Sequence, residues 1–252
     1  MVRKVAHALG ISFSQLVLAI SLAACGEVTT EATNRFASSG ELVALSGAGA
    51  GAVNACITCH GLDGRGNGAG APRLAGLDFG YLNRQMESYA SGLRQHAQMQ
   101  HIANRLSASE RQSVSAYFAA MTFEPGPMPA APPPLLWVSG DPARHLQPCA
   151  DCHGARGEGI GPANPAVGAQ PAAYHLEQLE KWRRSERRND PMNVMQTISR
   201  GLHPAELSEL AAYAGALPGG PPSPGSPEAF PEVRRVDPKN DASRPRPHEA
   251  VQ

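Results

Sequence analysis

CITCH at residues 56–60 recurs as CADCH at residues 149–153. The copies lie 93 positions apart, and the same offset aligns far more than the cysteines. Gly47 falls on Gly140, Gly61 on Gly154 and Gly64 on Gly157. Pro72 and Pro165 each follow their motif histidine by twelve residues. Tyr81 meets Tyr174, Gln85 meets Gln178, Tyr89 meets Trp182, and Arg94 meets Arg187. Beyond that point the second copy carries three extra residues. With these allowed for, MQHIANRL at 99–106 matches MQTISRGL at 195–202, and Tyr117 matches Tyr213. One unit of about 80 residues is written twice.

The periodicity within each unit is helical. YLNRQMESYASGL and YHLEQLEKW place apolar residues three and four apart. SASERQSVSAYFAAM opens with Ser107 and carries Glu110 three residues later, the pattern of a capping box. Pro204 stands near the start of the equivalent segment, where a helix tolerates proline. No alternating strand pattern is present, so the expected fold class is all-α. The stretch SGAGAGAVNA before the first motif is the weak point, because a helix there would hold three glycines at about 1 kcal/mol each.

The units are assigned to residues 44–122 and 139–217. Residues 123–138 form a proline-rich linker, and residues 218–252 a proline-rich tail without apolar period, expected to be disordered. MVRK followed by an interrupted apolar run reads as an exported signal peptide over residues 1–24. LAAC at 22–25 resembles the bacterial lipobox, which would make Cys25 the lipidated first residue and residues 25–43 a tether. The expected location is therefore periplasmic, at the membrane through a lipid anchor.

Composition sets further bounds. Aromatics are 5% of the chain, against 26 Gly and 23 Pro, so two units of this size need a staple, a metal or a cofactor. Formal charge is zero, and no basic patch fit for nucleic acid stands out. KWRRSERR at 181–188 is the densest cationic run, and its interspersed acid and helical spacing read as a solvated helix face. Residues 44–122 hold six arginines against four acids, and residues 139–217 eight basic against nine acidic residues. Neither balance implies strong long-range steering of a partner.

Four chemistries compete for Cys-x-x-Cys-His. One zinc shared between the pairs conflicts with a duplication in which each half is complete, and a lone pair offers only two thiolates. A thioredoxin-like redox pair belongs in an α/β pattern that is absent. Structural disulfides are permitted in an exported chain but do not call for a histidine. The fourth reading uses every residue: Cys56 and Cys59, and Cys149 and Cys152, attach two haem c groups by thioether bonds, with His60 and His153 as axial ligands. Covalent macrocycles would also supply the apolar bulk the composition lacks.

The sixth ligand separates a carrier from a catalyst. Met86 aligns with Leu179 and Met121 with Leu217, as core residues do, while Met128 lies in the linker. Met99 has a methionine opposite it, Met195; counting forward from Arg187 instead gives Met192 as the alternative. His96 and His101 flank Met99, but the second unit has no histidine aligned with either. A His/Met iron is fully coordinated, of raised potential and suited to electron transfer.

CHGLDGRGNGAGAPRLAGLDFGYLNRQM and CHGARGEGIGPANPAVGAQPAAYHLEQL give the span 44–217 a motif order that resembles tandem dihaem class I cytochromes c of the periplasmic c-four type. The resemblance implies that the carbonyls of Pro72 and Pro165 orient the axial imidazoles, and that the haems lie close enough to exchange electrons. The chain departs from that pattern in its glycine-rich first helix, longer linker and proline-rich tail. The implied role is a carrier of single electrons between a quinol–cytochrome c reductase or dehydrogenase and a terminal oxidase. The alternative is a haem electron-accepting subunit of a dehydrogenase that oxidises sulfur compounds or alcohols. A third reading, that the chain is itself an enzyme, needs an open iron site.

Overall fold

The structure is a computed structural model that describes residues 39–68 and 70–220. The signal peptide, Cys25, the first part of the tether and the tail from residue 221 onward lie outside the described residues. Both repeats fall within one compact unit, and each has its own apolar core.

In the first repeat, helix α1 covers residues 39–46, α2 is Cys56–His60, α3 Phe79–Ala90, α4 Ala97–Arg105 and α5 Ala108–Ala120. In the second, α6 is Leu135–Val138, α7 Cys149–His153, α8 Ala172–Arg183, α9 Val194–Gly201 and α10 Pro204–Ala216. The described residues contain isolated bridges but no strand. None of their helices is long and apolar enough to cross a membrane. Helix α3 packs on α4 and α5, as α8 packs on α9 and α10, so the duplication is visible in the packing.

Local signals account for the helix starts. Asp78 caps α3 by accepting from the Tyr81 N–H at 2.9 Å. Ser107 and Glu110 form the expected capping box of α5. Pro204 opens α10, and Glu206 accepts from the His203 N–H at 2.7 Å. The first core joins Leu82, Ile102, Val114 and Phe118, with Met86 and Met121 packed against it. The second joins Trp137, Leu207, Leu210 and Tyr213, with Met128 packed against it.

Four expectations change. Val43 and Ala44 on α1 are buried in the first core, so residues 39–43 belong to the first domain and not to a tether. Trp137 on α6 is buried in the second core, so the linker ends before residue 135. Pro218 is fully buried, and the Arg156 side chain donates to the Gly220 carbonyl, so residues 218–220 still belong to the fold. The glycine-rich stretch forms two 3-10 turns, Ala48–Ala50 and Ala52–Asn54, instead of an α-helix. Gly47 at φ 72° and Gly51 at φ 83° break it at backbone angles that glycine adopts without penalty.

Candidate haem sites

Helix α2 puts Cys56 and Cys59 three residues apart, hence on one face, and α7 does the same for Cys149 and Cys152. None of the four is in a disulfide. Burial pushes the thiols of Cys56 and Cys149 up to about 11. A thiol raised by burial is a poor thiolate ligand, which disfavours a metal site built on these two sulfurs.

Each motif helix ends on its histidine because a glycine follows with angles open only to that residue. Gly61 has φ 78° and ψ 156°, and Gly154 has φ 79° and ψ 155°. Twelve residues on, the chain returns. His60 Nδ1 lies 2.9 Å from the Pro72 carbonyl oxygen, and His153 Nδ1 lies 2.8 Å from that of Pro165. A carbonyl can only accept, so each Nδ1 carries the proton and each Nε2 keeps its lone pair for a metal. Burial lowers both imidazole pKa values, against a smaller upward pull from the proline carbonyls, which favours the neutral ligating form.

The methionines sort by exposure. Met99 is half-buried on the first turn of α4 against the first core, and its N–H donates to His96 Nδ1 at 3.3 Å. Met195 is half-buried on the first turn of α9, its N–H bonded to Asp190 Oδ2 at 2.8 Å. Met192 sits on the inserted turn with φ 58° and is 92% exposed. His101 is exposed and accepts from Arg105 Nε at 3.0 Å.

Between the repeats lies a polar cluster whose members had appeared in the sequence only as matched positions. Arg94 Nη1 donates to Gln85 Oε1 at 2.9 Å, and its Nη2 donates to Tyr174 Oη and Gln178 Oε1, both at 2.8 Å. Arg187 repeats this with the domains exchanged, from Nη1 to Gln178 at 3.0 Å and from Nη2 to Tyr81 at 3.4 Å and Gln85 at 3.2 Å. The expected solvated face at 181–188 thus turns Arg187 inward to 4% exposure, while Arg184 stays outside, paired with Glu180 and Glu186. Burial alone would push the Tyr81 hydroxyl up, but the Arg187 and Arg94 charges outweigh it and lower its pKa.

Among the described residues, no carboxylate lies within ion-pair distance of Arg94 or Arg187. Two buried guanidiniums held by neutral acceptors call for an anion. Haem c brings two carboxylates per group, the charge this pair lacks. Paired thiols on a helix face, forced imidazole tautomers and uncompensated buried cations all fit that cofactor.

The family model described as Cytochrome c matches residues 46–122 and again 144–217. The thiosulfate dehydrogenase electron acceptor of Stutzerimonas stutzeri (strain A1501) is 37% identical over 187 residues, covering 70% of this chain and 85% of that protein. The structure of thiosulfate dehydrogenase (TsdBA) from Marichromatium purpuratum aligns with a TM-score of 0.65 and 36% identity, over 73% of this chain and 40% of that one. Reduced recombinant cytochrome c4 from Pseudomonas stutzeri aligns with a TM-score of 0.59 and 28% identity, over 68% of this chain and 97% of that one.

Proposed function

The chain belongs to the cytochrome c family as a dihaem electron carrier of the cytochrome c4 kind, and from that premise we propose that it accepts electrons from a thiosulfate-oxidising dehydrogenase and passes them singly to a respiratory chain. The observation carrying this reading is the 37% identity to a thiosulfate dehydrogenase electron acceptor along 85% of that protein. The likeness to TsdBA supports it, since the matching span is 40% of a longer chain. Cytochrome c4 likeness also favours a second reading, a general carrier between a quinol–cytochrome c reductase and a terminal oxidase.

The residues divide the work. Cys56, Cys59, Cys149 and Cys152 anchor the two groups covalently. Pro72 and Pro165 orient His60 and His153 through Nδ1, and Met99 and Met195 would supply the second iron ligand of each group. Bound haem supplies a one-electron Fe(III)/Fe(II) couple. Iron ligated by histidine and methionine from the chain would be fully coordinated, which suits electron transfer and not substrate binding. Export to the periplasm and lipidation of Cys25 rest on the MVRK start and the LAAC stretch.

Mixing the oxidised chain with a thiosulfate dehydrogenase and thiosulfate tests the role: the ferrous haem band grows at a rate set by dehydrogenase concentration. No reduction on that mixture, with reduction by a quinol–cytochrome c reductase intact, selects the general carrier. For the ligands, Met99→Ala and Met195→Ala each remove half of the far-red sulfur–iron band, and Met192→Ala leaves it whole. An undiminished band in the Met195 variant would overturn that assignment.

A further inference from the structure

The contact between Arg73 and Gln170 breaks the symmetry of the duplication. Under the 93-residue offset Arg73 falls on Ala166, and Gln170 on Leu77, so neither side of the contact has a counterpart. The Arg73 N–H donates to Gln170 Oε1 at 2.8 Å, and Gln170 Nε2 donates back to the Arg73 carbonyl at 2.9 Å. This two-way bond fixes the residue that directly follows Pro72, the residue whose carbonyl holds His60.

The side chain then reaches across the boundary. Arg73 Nη1 donates to the Ala75 carbonyl at 2.6 Å, and Nη2 to the Gly168 carbonyl at 3.1 Å. Ala75 and Gly168 are equivalent positions of the two repeats, each three residues beyond a histidine-holding proline. One guanidinium therefore bridges the same point of both histidine-supporting loops. It is 1% exposed, lies 3.8 Å above the Phe123 ring, leaves Nε without a partner, and has no carboxylate within ion-pair distance among the described residues. Burying a charge without a counter-ion is costly, so the cation calls for more than a clamping role.

We propose that Arg73 raises the reduction potential of both haems together, a single buried cation serving two irons from a seat common to both domains. The ferric state carries one more positive charge than the ferrous, so a fixed neighbouring cation disfavours it. The interior screens poorly: a unit charge about 10 Å away, through an effective dielectric constant of about 20, changes a one-electron equilibrium roughly tenfold. The effect adds to the raised potential expected of His/Met ligation, and depends on the two-haem reading but not on which protein donates the electrons.

The test is spectroelectrochemical titration of the full-length holoprotein, with two haems per chain first verified as pyridine haemochrome. Arg73→Met is expected to lower both midpoint potentials by comparable amounts, about tenfold each in the equilibrium with an external mediator, or about 59 mV for one electron. Arg73→Lys keeps the charge and is expected to retain most of the potential in both domains. If Arg73→Met does not fold, Arg73→Gln, neutral but still a donor, serves the same comparison. The proposal is overturned if the neutral variant leaves both potentials in place, if only one haem responds, or if Lys shifts them as far as the neutral residue does.

Discussion

Arg94 and Arg187 meet across the domain boundary as twofold partners, joined by an antiparallel bridge in which the Gln95 N–H donates to the Glu186 carbonyl and the Arg188 N–H to the Leu93 carbonyl. Each guanidinium holds the glutamine of its own repeat and the tyrosine of the other. Each also lies over an aromatic ring of its own repeat, Arg94 at 4.7 Å from Tyr89 and Arg187 at 4.0 Å from Trp182. The paired domains are thus held by residues that the duplication supplied in register.

A double-mutant cycle measures that coupling. Tyr174→Phe removes the 2.8 Å bond from Arg94 and is expected to lower stability by about 1.5–3 kcal/mol, the range for bonds to charged groups. Arg94→Met is more costly. The double variant, followed by urea unfolding of the holoprotein, should fall short of the sum of the singles by about 1 kcal/mol. Strict additivity would mean that the bond carries nothing.

Gly61→Ala and Gly154→Ala place a side chain where φ is 78° and 79°. Each is expected to cost about 1–3 kcal/mol and to reduce haem incorporation in its own domain. Haemochrome content per chain, normalised to protein, reads the second effect; unchanged content in both variants would refute it.

The second domain should be the more acid-sensitive. Arg144 donates to both Glu206 oxygens at 2.8 and 2.9 Å and, from Nε, to Asp141 at 2.6 Å. The Arg144 side chain lowers the pKa of both carboxyls in the folded state. A lowered folded pKa gives stability that is present above the unfolded value and lost as pH falls through the folded one. Arg144→Met should lower the Tm near neutrality and flatten its decline between about pH 5 and pH 3. A parallel decline in both proteins would remove the cluster from the account.

Ser107→Ala deletes the acceptor for the Glu110 N–H at the start of α5. A loss of about 1 kcal/mol is expected, confined to the first domain. Hydrogen exchange that accelerates in α5 and not in α10 would match it; equal acceleration in both would not.

The histidine–proline pairing came from the family resemblance, while the repeat, the motif chemistry and the capped helices were legible because each is local or recurs at a fixed offset. Arg73 was not, since a buried arginine with carbonyl partners looks like any surface arginine until the fold brings Gln170 and Gly168 to it. Arg187 was misread for a related reason: KWRRSERR has the charge pattern of an exposed face, and only the facing surface of the first domain, with Tyr81 and Gln85, shows which arginine turns inward. Trp137 was hidden by the prolines before it, which forbid a long helix but not the four-residue turn that seats the indole against Tyr213, with ring centroids 5.4 Å apart.

The twofold exchange of arginine, glutamine and tyrosine has a consequence for how the two repeats stay together. A patch that is completed by a copy of itself is an isologous surface, the kind on which homodimers close. One repeat on its own would present Arg94, Gln85 and Tyr81 to a second molecule in the arrangement that Arg187, Gln178 and Tyr174 now fill. Covalent linkage of the two copies makes permanent a contact that separate repeats could form only in a concentration-dependent way.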